Sequence, residues 1–205
     1  MNFPRFPSMI KHRTHADVVL FVRTMQKAGL DPVAVGAVIE SESGWLTAVH
    51  GPKAFTDPPG YAVGLIQFAP ATARMLGTSS AALERMTFAQ QLRYVVKYYQ
   101  QYGGGKNLKR PVDYYLAGWG AGVGTDDSHV LASEGQPAYQ ANTGFDTQGK
   151  GTITTGDLDS RVQAMISKAR ANGTLPIVIA AAAGLEWIFW IAVGWLVVRH
   201  RKAHA

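Results

Sequence analysis

Two stretches of this chain place residues able to do chemistry at a suggestive spacing. One is Glu42-Ser43-Gly44-Trp45. The other, some twenty residues later, is Gly64-Leu65-Ile66-Gln67-Phe68-Ala69-Pro70-Ala71-Thr72-Ala73. A carboxylic acid held neutral near working pH can protonate a leaving oxygen while positive charge builds on the carbon it departs from. Glu42 is the candidate for that acid. Asp31 and Pro32 start a helix, with a capping carboxylate and a proline at the first helical position, and the apolar run Val33 to Ile39 makes it a largely buried one. Gly44 supplies the stop. Glu40 and Glu42 lie two positions apart, so roughly 200° separates them around the axis and they cannot both line one cleft. Packing beside Trp45 and the apolar face of the helix is expected to desolvate the Glu42 carboxyl and raise its pKa, the direction an acid requires. In the second stretch, Gly64 and the small residues after it would let backbone approach a ligand closely. Gln67 offers both donor and acceptor atoms to a ligand or to Glu42 itself. Leu65, Ile66 and Phe68 are also natural core residues, and both roles can hold at once.

Together these two motifs resemble the active-site signature of the soluble lytic transglycosylases, a lysozyme-like family acting on bacterial peptidoglycan. The resemblance covers roughly residues 16 to 125. It implies a mainly α, lysozyme-like domain that cleaves the bond between N-acetylmuramic acid and N-acetylglucosamine without water. Glu42 would protonate the leaving oxygen and then act as base on the muramyl 6-hydroxyl, closing a 1,6-anhydro ring. One carboxylate suffices because substrate groups replace the second. No cofactor or metal is implied. Ser43, Gln67, Phe68, Tyr115 and Trp119 are the expected substrate-binding residues. The family's third motif, Ala-Tyr-Asn-Ala-Gly, is altered here to Gly118-Trp119-Gly120-Ala121-Gly122. An indole can donate but not accept, so whatever the family's tyrosine does for the glutamate is changed, or passes to Tyr114 or Tyr115. Two other readings stay open. One is a hydrolytic, goose-type-like lysozyme in which Asp57 holds a water, and the other a membrane-bound peptidoglycan-binding protein without catalysis.

Other elements must position these groups. A helix is expected from about Asp17 to Ala28, closed by Gly29, and an irregular loop from Thr47 to Val63 forms one wall of the cleft. Thr87 and Gln90 make a capping box for a helix running to Tyr102. Tyr94, Tyr98, Tyr99 and Tyr102 crowd that helix. Flat aromatic faces suit sugar rings, but tyrosines at helical spacing read first as core.

The chain has 205 residues, a net charge of +6 and no cysteine. It can hold one domain of ordinary size plus about one further element, with no disulfide and no cysteine-based metal site or nucleophile. The basic balance suits an anionic partner such as peptidoglycan carboxylates or lipid headgroups. Its charges form no stripe with interleaved aromatics, so nucleic acid is not an expected partner. No histidines show metal-ligand spacing. Residues 1–15 read as a basic flexible arm with Pro4 and Pro7. Residues 126–172 read as an irregular segment whose stretch from Asp146 to Asp157 resembles a degenerate EF-hand loop, with Lys150 where a ligand oxygen should be. The preferred reading there is a turn launching a helix, capped by Thr154 and Asp157, with Leu158, Val162, Met165, Ile166 and Ala169 on its apolar face.

From Leu175 to Val198 the chain is apolar apart from Glu186, long enough at ~1.5 Å per residue to cross a ~30 Å hydrocarbon core. A transmembrane helix over 175–198 is expected, followed by a basic tail, residues 199–205. Ala180 and Gly184 form a small-xxx-small pair that would allow self-association. Arg199, Arg201 and Lys202 favour the cytoplasmic side, with the domain outside. The first residues lack the pattern of a signal peptide. The expected setting is therefore a membrane-anchored bacteriophage virion enzyme, or else a bacterial inner-membrane protein facing the periplasm.

Overall fold

The computed structural model describes residues 1–54, 60–120 and 122–177. In chain order the elements are β1 (Asn2–Pro4), α1 (Pro7–His12), α2 (His15–Lys27), α3 (Pro32–Ser43), β2 (His50–Ala54) and β3 (Gly60–Val63). Then come α4 (Pro70–Met75), α5 (Ser80–Glu84), α6 (Phe88–Gln101) and α7 (Pro111–Trp119). The last third supplies β4 (Val130–Ser133), α8 (Pro137–Gln140), β5 (Thr152–Thr154), α9 (Thr155–Ala171) and β6 (Thr174–Pro176). Among the described residues the fold is mainly helical, with three short antiparallel strand pairs, β1 with β6, β2 with β3 and β4 with β5.

Helix α3 is the central element, and its sequence explains why. The Asp31 carboxylate accepts from the Val33 and Ala34 amides, Pro32 opens the first turn, and Gly44 ends the helix at φ 55°. Ala34, Val35, Ala37 and Ile39 are fully buried, because α1, α2, α7 and α9 all pack on this helix. Helices α2, α6 and α9 each start on a reciprocal capping box, Thr14 with Asp17, Thr87 with Gln90 and Thr154 with Asp157. Along α9, Leu158, Val162, Ile166 and Ala169 are buried, with Met165 at the edge.

The N-terminal arm is corrected. Residues 1–15 hold β1, α1 and the first residue of α2, and Phe3, Phe6 and Met9 are fully buried. The reason lies at Gly36 on α3. A Cβ there would fall 2.9 Å from Phe6 Cε2 and 3.2 Å from Phe3 Cζ, so the bare glycine face is the seat for both rings. Three apolar side chains in a short basic stretch outweigh its charge, since each buried side chain of this size stabilises by about 1.5–3 kcal/mol.

The start of the expected membrane span is corrected too. Leu175 stands opposite Phe3 in the β1–β6 pair, and Ile177 is buried with its amide donating to the Met1 carbonyl. The rest of that span, Glu186 and the basic tail lie outside the described residues, as does Asp57. Among the described residues no helix is long and apolar enough to cross a membrane.

The stretch from Thr47 to Val63, expected as irregular loop, contains the β2–β3 hairpin, with His50 opposite Val63. In the EF-hand-like stretch the acids are already engaged. Asp146 accepts from the Lys150 and Gly151 amides and the Tyr139 hydroxyl, and both Asp157 carboxylate oxygens lie 2.9 Å from Lys150 Nζ. The loop closes on its own ammonium and launches α9.

Candidate active site

The last turn of α3 meets the Gly64 turn through a set of short hydrogen bonds that fix where Glu42 points. Ser43 is buried, and its Oγ donates to the Leu65 carbonyl at 2.8 Å and to the Ile39 carbonyl at 3.2 Å. Behind it, fully buried Gln91 accepts from the Leu65 amide at 3.0 Å and donates to the carbonyls of Leu83 and Thr47. Gly64 adopts φ 84°, and a Cβ there would fall 2.6 Å from Gln91 Oε1. The glycine therefore makes room for Gln91, rather than for a ligand as its sequence context suggested. Gln67 also has positive φ, 52°. Its amide nitrogen donates to the Gly64 carbonyl at 3.0 Å and to the Val49 carbonyl at 3.2 Å, while its buried Oε1 has no hydrogen-bond partner.

The result is a cleft of about 370 Å³. Glu42 of α3, Gln67 and Phe68 of the Gly64 turn, Tyr98 and Tyr99 of α6, and Tyr115 and Trp119 of α7 line it together. Five of the residues singled out from the sequence are thus brought together. Ser43 is not among them, because its hydroxyl is spent on two backbone carbonyls. Trp45 lies elsewhere too. Its left-handed backbone, φ 67°, turns the indole into the core against Phe21, ring centroids 5.0 Å apart, and against Phe6 and Phe88. The expected desolvation of Glu42 is present but comes from a different source, the tyrosine-lined cleft.

Burial raises the Glu42 pKa above the ordinary carboxylate value, and a hydrogen bond with the Tyr115 hydroxyl partly opposes the rise. The same phenol lies 2.9 Å from Ser41 Oγ. Burial, together with the negative charge of Glu42, pushes the Tyr115 pKa up to about 12, so this phenol stays a donor throughout the physiological range. Tyr114 is tied elsewhere, its hydroxyl accepting from the Asp31 amide at 2.9 Å. Of the two tyrosines expected to take the place of the missing one, Tyr115 is the one in contact with the glutamate. The Tyr98 hydroxyl donates to the Ala117 carbonyl at 2.7 Å, and burial raises its pKa. Glu42 is the one carboxyl among the described residues lining the cleft. Such a site holds its proton to higher pH than an ordinary carboxylate does and can deliver it to a polar group enclosed by aromatic walls.

Several contributors escaped the sequence reading. Gln91 falls on the apolar face of α6 with Phe88, Leu92 and Val95, and a lone amide at a core-facing position is a legible sign of a buried clamp. Ala138 and Asn142 complete the cleft wall from the segment after α7, and no local pattern marks them.

Residues 20–115 match the protein family described as Transglycosylase SLT domain, of the lysozyme-like superfamily. Members of that family are lytic transglycosylases, and peptidoglycan is the substrate this domain implies. The match includes Glu42, Gln67 and Phe68 and ends at Tyr115. Trp119, Ala138 and Asn142 therefore add to the cleft from outside it. No curated protein matches the chain.

Proposed function

We propose that this protein cuts peptidoglycan glycan strands between N-acetylmuramic acid and N-acetylglucosamine, with Glu42 as the single acid and base. The observation that carries this reading is a partly buried glutamate with a raised pKa, alone among the described cleft residues in bearing a carboxyl. In the first step the Glu42 proton passes to the glycosidic oxygen as the C–O bond breaks and positive charge develops at the anomeric carbon. The resulting carboxylate then takes the proton of the muramyl 6-hydroxyl as that oxygen bonds to the anomeric carbon, closing the 1,6-anhydro ring. Tyr115 steadies the carboxylate between the two steps through its hydrogen bond. Water is not consumed, and the walls of Phe68, Tyr98 and Trp119 favour its exclusion.

Mass spectrometry of purified sacculi after digestion tests the reading. Anhydromuropeptides, lighter by one water than reducing muropeptides, are the expected products. Reducing ends would instead favour hydrolysis, with Asp57 as the residue to examine. We also propose that the apolar stretch 178–198 anchors the domain in a membrane, a reading supported by its composition.

A further inference from the structure

We propose that Arg161 is a carboxylate-binding residue at the rim of the cleft, by which this chain recognises the anionic groups of its glycan substrate. This rests on the glycan-cleaving reading and adds a substrate contact to it. Arg161 lies on α9, outside the residues that match the family. Its guanidinium carbon sits 4.8 Å from the centroid of the Phe145 ring. That ring is itself packed edge-on against two residues of the cleft wall, Tyr115 at 6.1 Å and Trp119 at 5.9 Å. The positive charge is close enough to ease ionisation of the Tyr115 hydroxyl.

The absence of a partner carries the argument. An arginine on a helix usually finds an acid one turn away, and Asp157 occupies that place. Asp157 is turned back into its own capping box, accepting from the Thr154 amide and hydroxyl, and is paired with Lys150 Nζ. Among the described residues no carboxylate lies within ion-pair distance of Arg161. A guanidinium stacked on an aromatic face keeps its N–H edges free, pre-oriented for a bidentate contact with a planar anion. Peptidoglycan offers two sources of that anion near the muramyl residue, the lactyl carboxylate when it bears no peptide and the carboxylates of the stem peptide when it does.

Binding to the Glu42→Gln protein, which blocks turnover, separates these cases. Three ligands are compared: chitohexaose, which has no carboxylate, amidase-stripped glycan strands, which expose lactyl carboxylates, and peptide-bearing strands. Adding Arg161→Gln should weaken one or both carboxylate-bearing ligands about tenfold, the loss of one charge-assisted contact, and leave chitohexaose unchanged. Which ligand is affected identifies the source. Equal weakening of all three, or of none, overturns the assignment. Were no glycan bound even with Arg161 intact, the glycan-cleaving reading would fail first, and this inference with it.

Discussion

The hydroxyl of Tyr115 lies 2.9 Å from Ser41 Oγ and is placed to hydrogen-bond the carboxyl of Glu42 and draw its pKa down, joining two side chains of α3 to α7 in the cleft. Because this bond stabilises the ionised carboxylate, it holds the Glu42 pKa below the level that burial alone would set. Tyr115→Phe should therefore shift the alkaline limb of the pH–rate profile to higher pH, while kcat falls because the carboxylate formed in the first step loses its donor. An unmoved limb would separate Tyr115 from the acid.

Glu42→Gln should reduce turnover by about 10²–10⁴, the usual worth of a general acid, with an unchanged circular dichroism spectrum. Glu40 makes the control. Its Oε1 accepts from the Ser8 amide at 3.0 Å and hydroxyl at 2.9 Å, away from the cleft, so Glu40→Gln should keep most activity. Comparable turnover from the Glu42→Gln protein would remove Glu42 from the mechanism.

The raised Glu42 pKa has a stability signature. The folded state holds its proton more tightly than the unfolded state, whose glutamate titrates near 4.5. Between that value and the higher folded pKa the native state binds more protons, so stability falls as pH rises through this window and stays lower above it. Thermal unfolding should show Glu42→Gln gaining stability over the parent protein as pH is raised from 4.5 toward neutrality. A constant difference across that range would mean that the carboxyl is not desolvated.

Gly36→Ala tests the seating of the N-terminal segment. The added methyl would press on Phe6 Cε2 at 2.9 Å, inside a core with no slack, and the expected cost is about 1–3 kcal/mol, read as a lower denaturant midpoint. An unaffected midpoint would mean that Phe3 and Phe6 are not packed against α3.

Much of this site was legible because it is built from local signals. The Asp31 cap, Pro32 and Gly44 bound α3, two residues of spacing put Glu42 and Glu40 on opposite sides, and the Thr154–Asp157 box starts α9. What escaped depends on pairing across the chain. Phe3 and Phe6 look like a tail until Gly36 and Leu175 are brought beside them, and Trp45 reads as a neighbour of Glu42 until its left-handed backbone turns it away. Ser43 has the chemistry of a ligand contact, and only the position of the Leu65 carbonyl shows where its hydroxyl goes.

Truncation should be sensitive to five residues. A chain ending at Asn172 loses β6 and leaves Phe3 and Met1 without their strand partners, so it should be destabilised or aggregate, whereas one ending at Ile177 should fold and retain the cleft. If the anchor reading holds, the full-length chain should need detergent and the 1–177 protein should not. Equal stability of the two truncations would show that the β1–β6 pair contributes nothing to the core.

That strand pair also sets an order of events. The Met1 amino group meets the Ile177 carbonyl at 3.3 Å across 176 positions of sequence, so the first described residues wait for nearly the last described ones. During synthesis Phe3 has no strand partner until residues 174–176 have left the ribosome, and a contact of such sequence separation forms late.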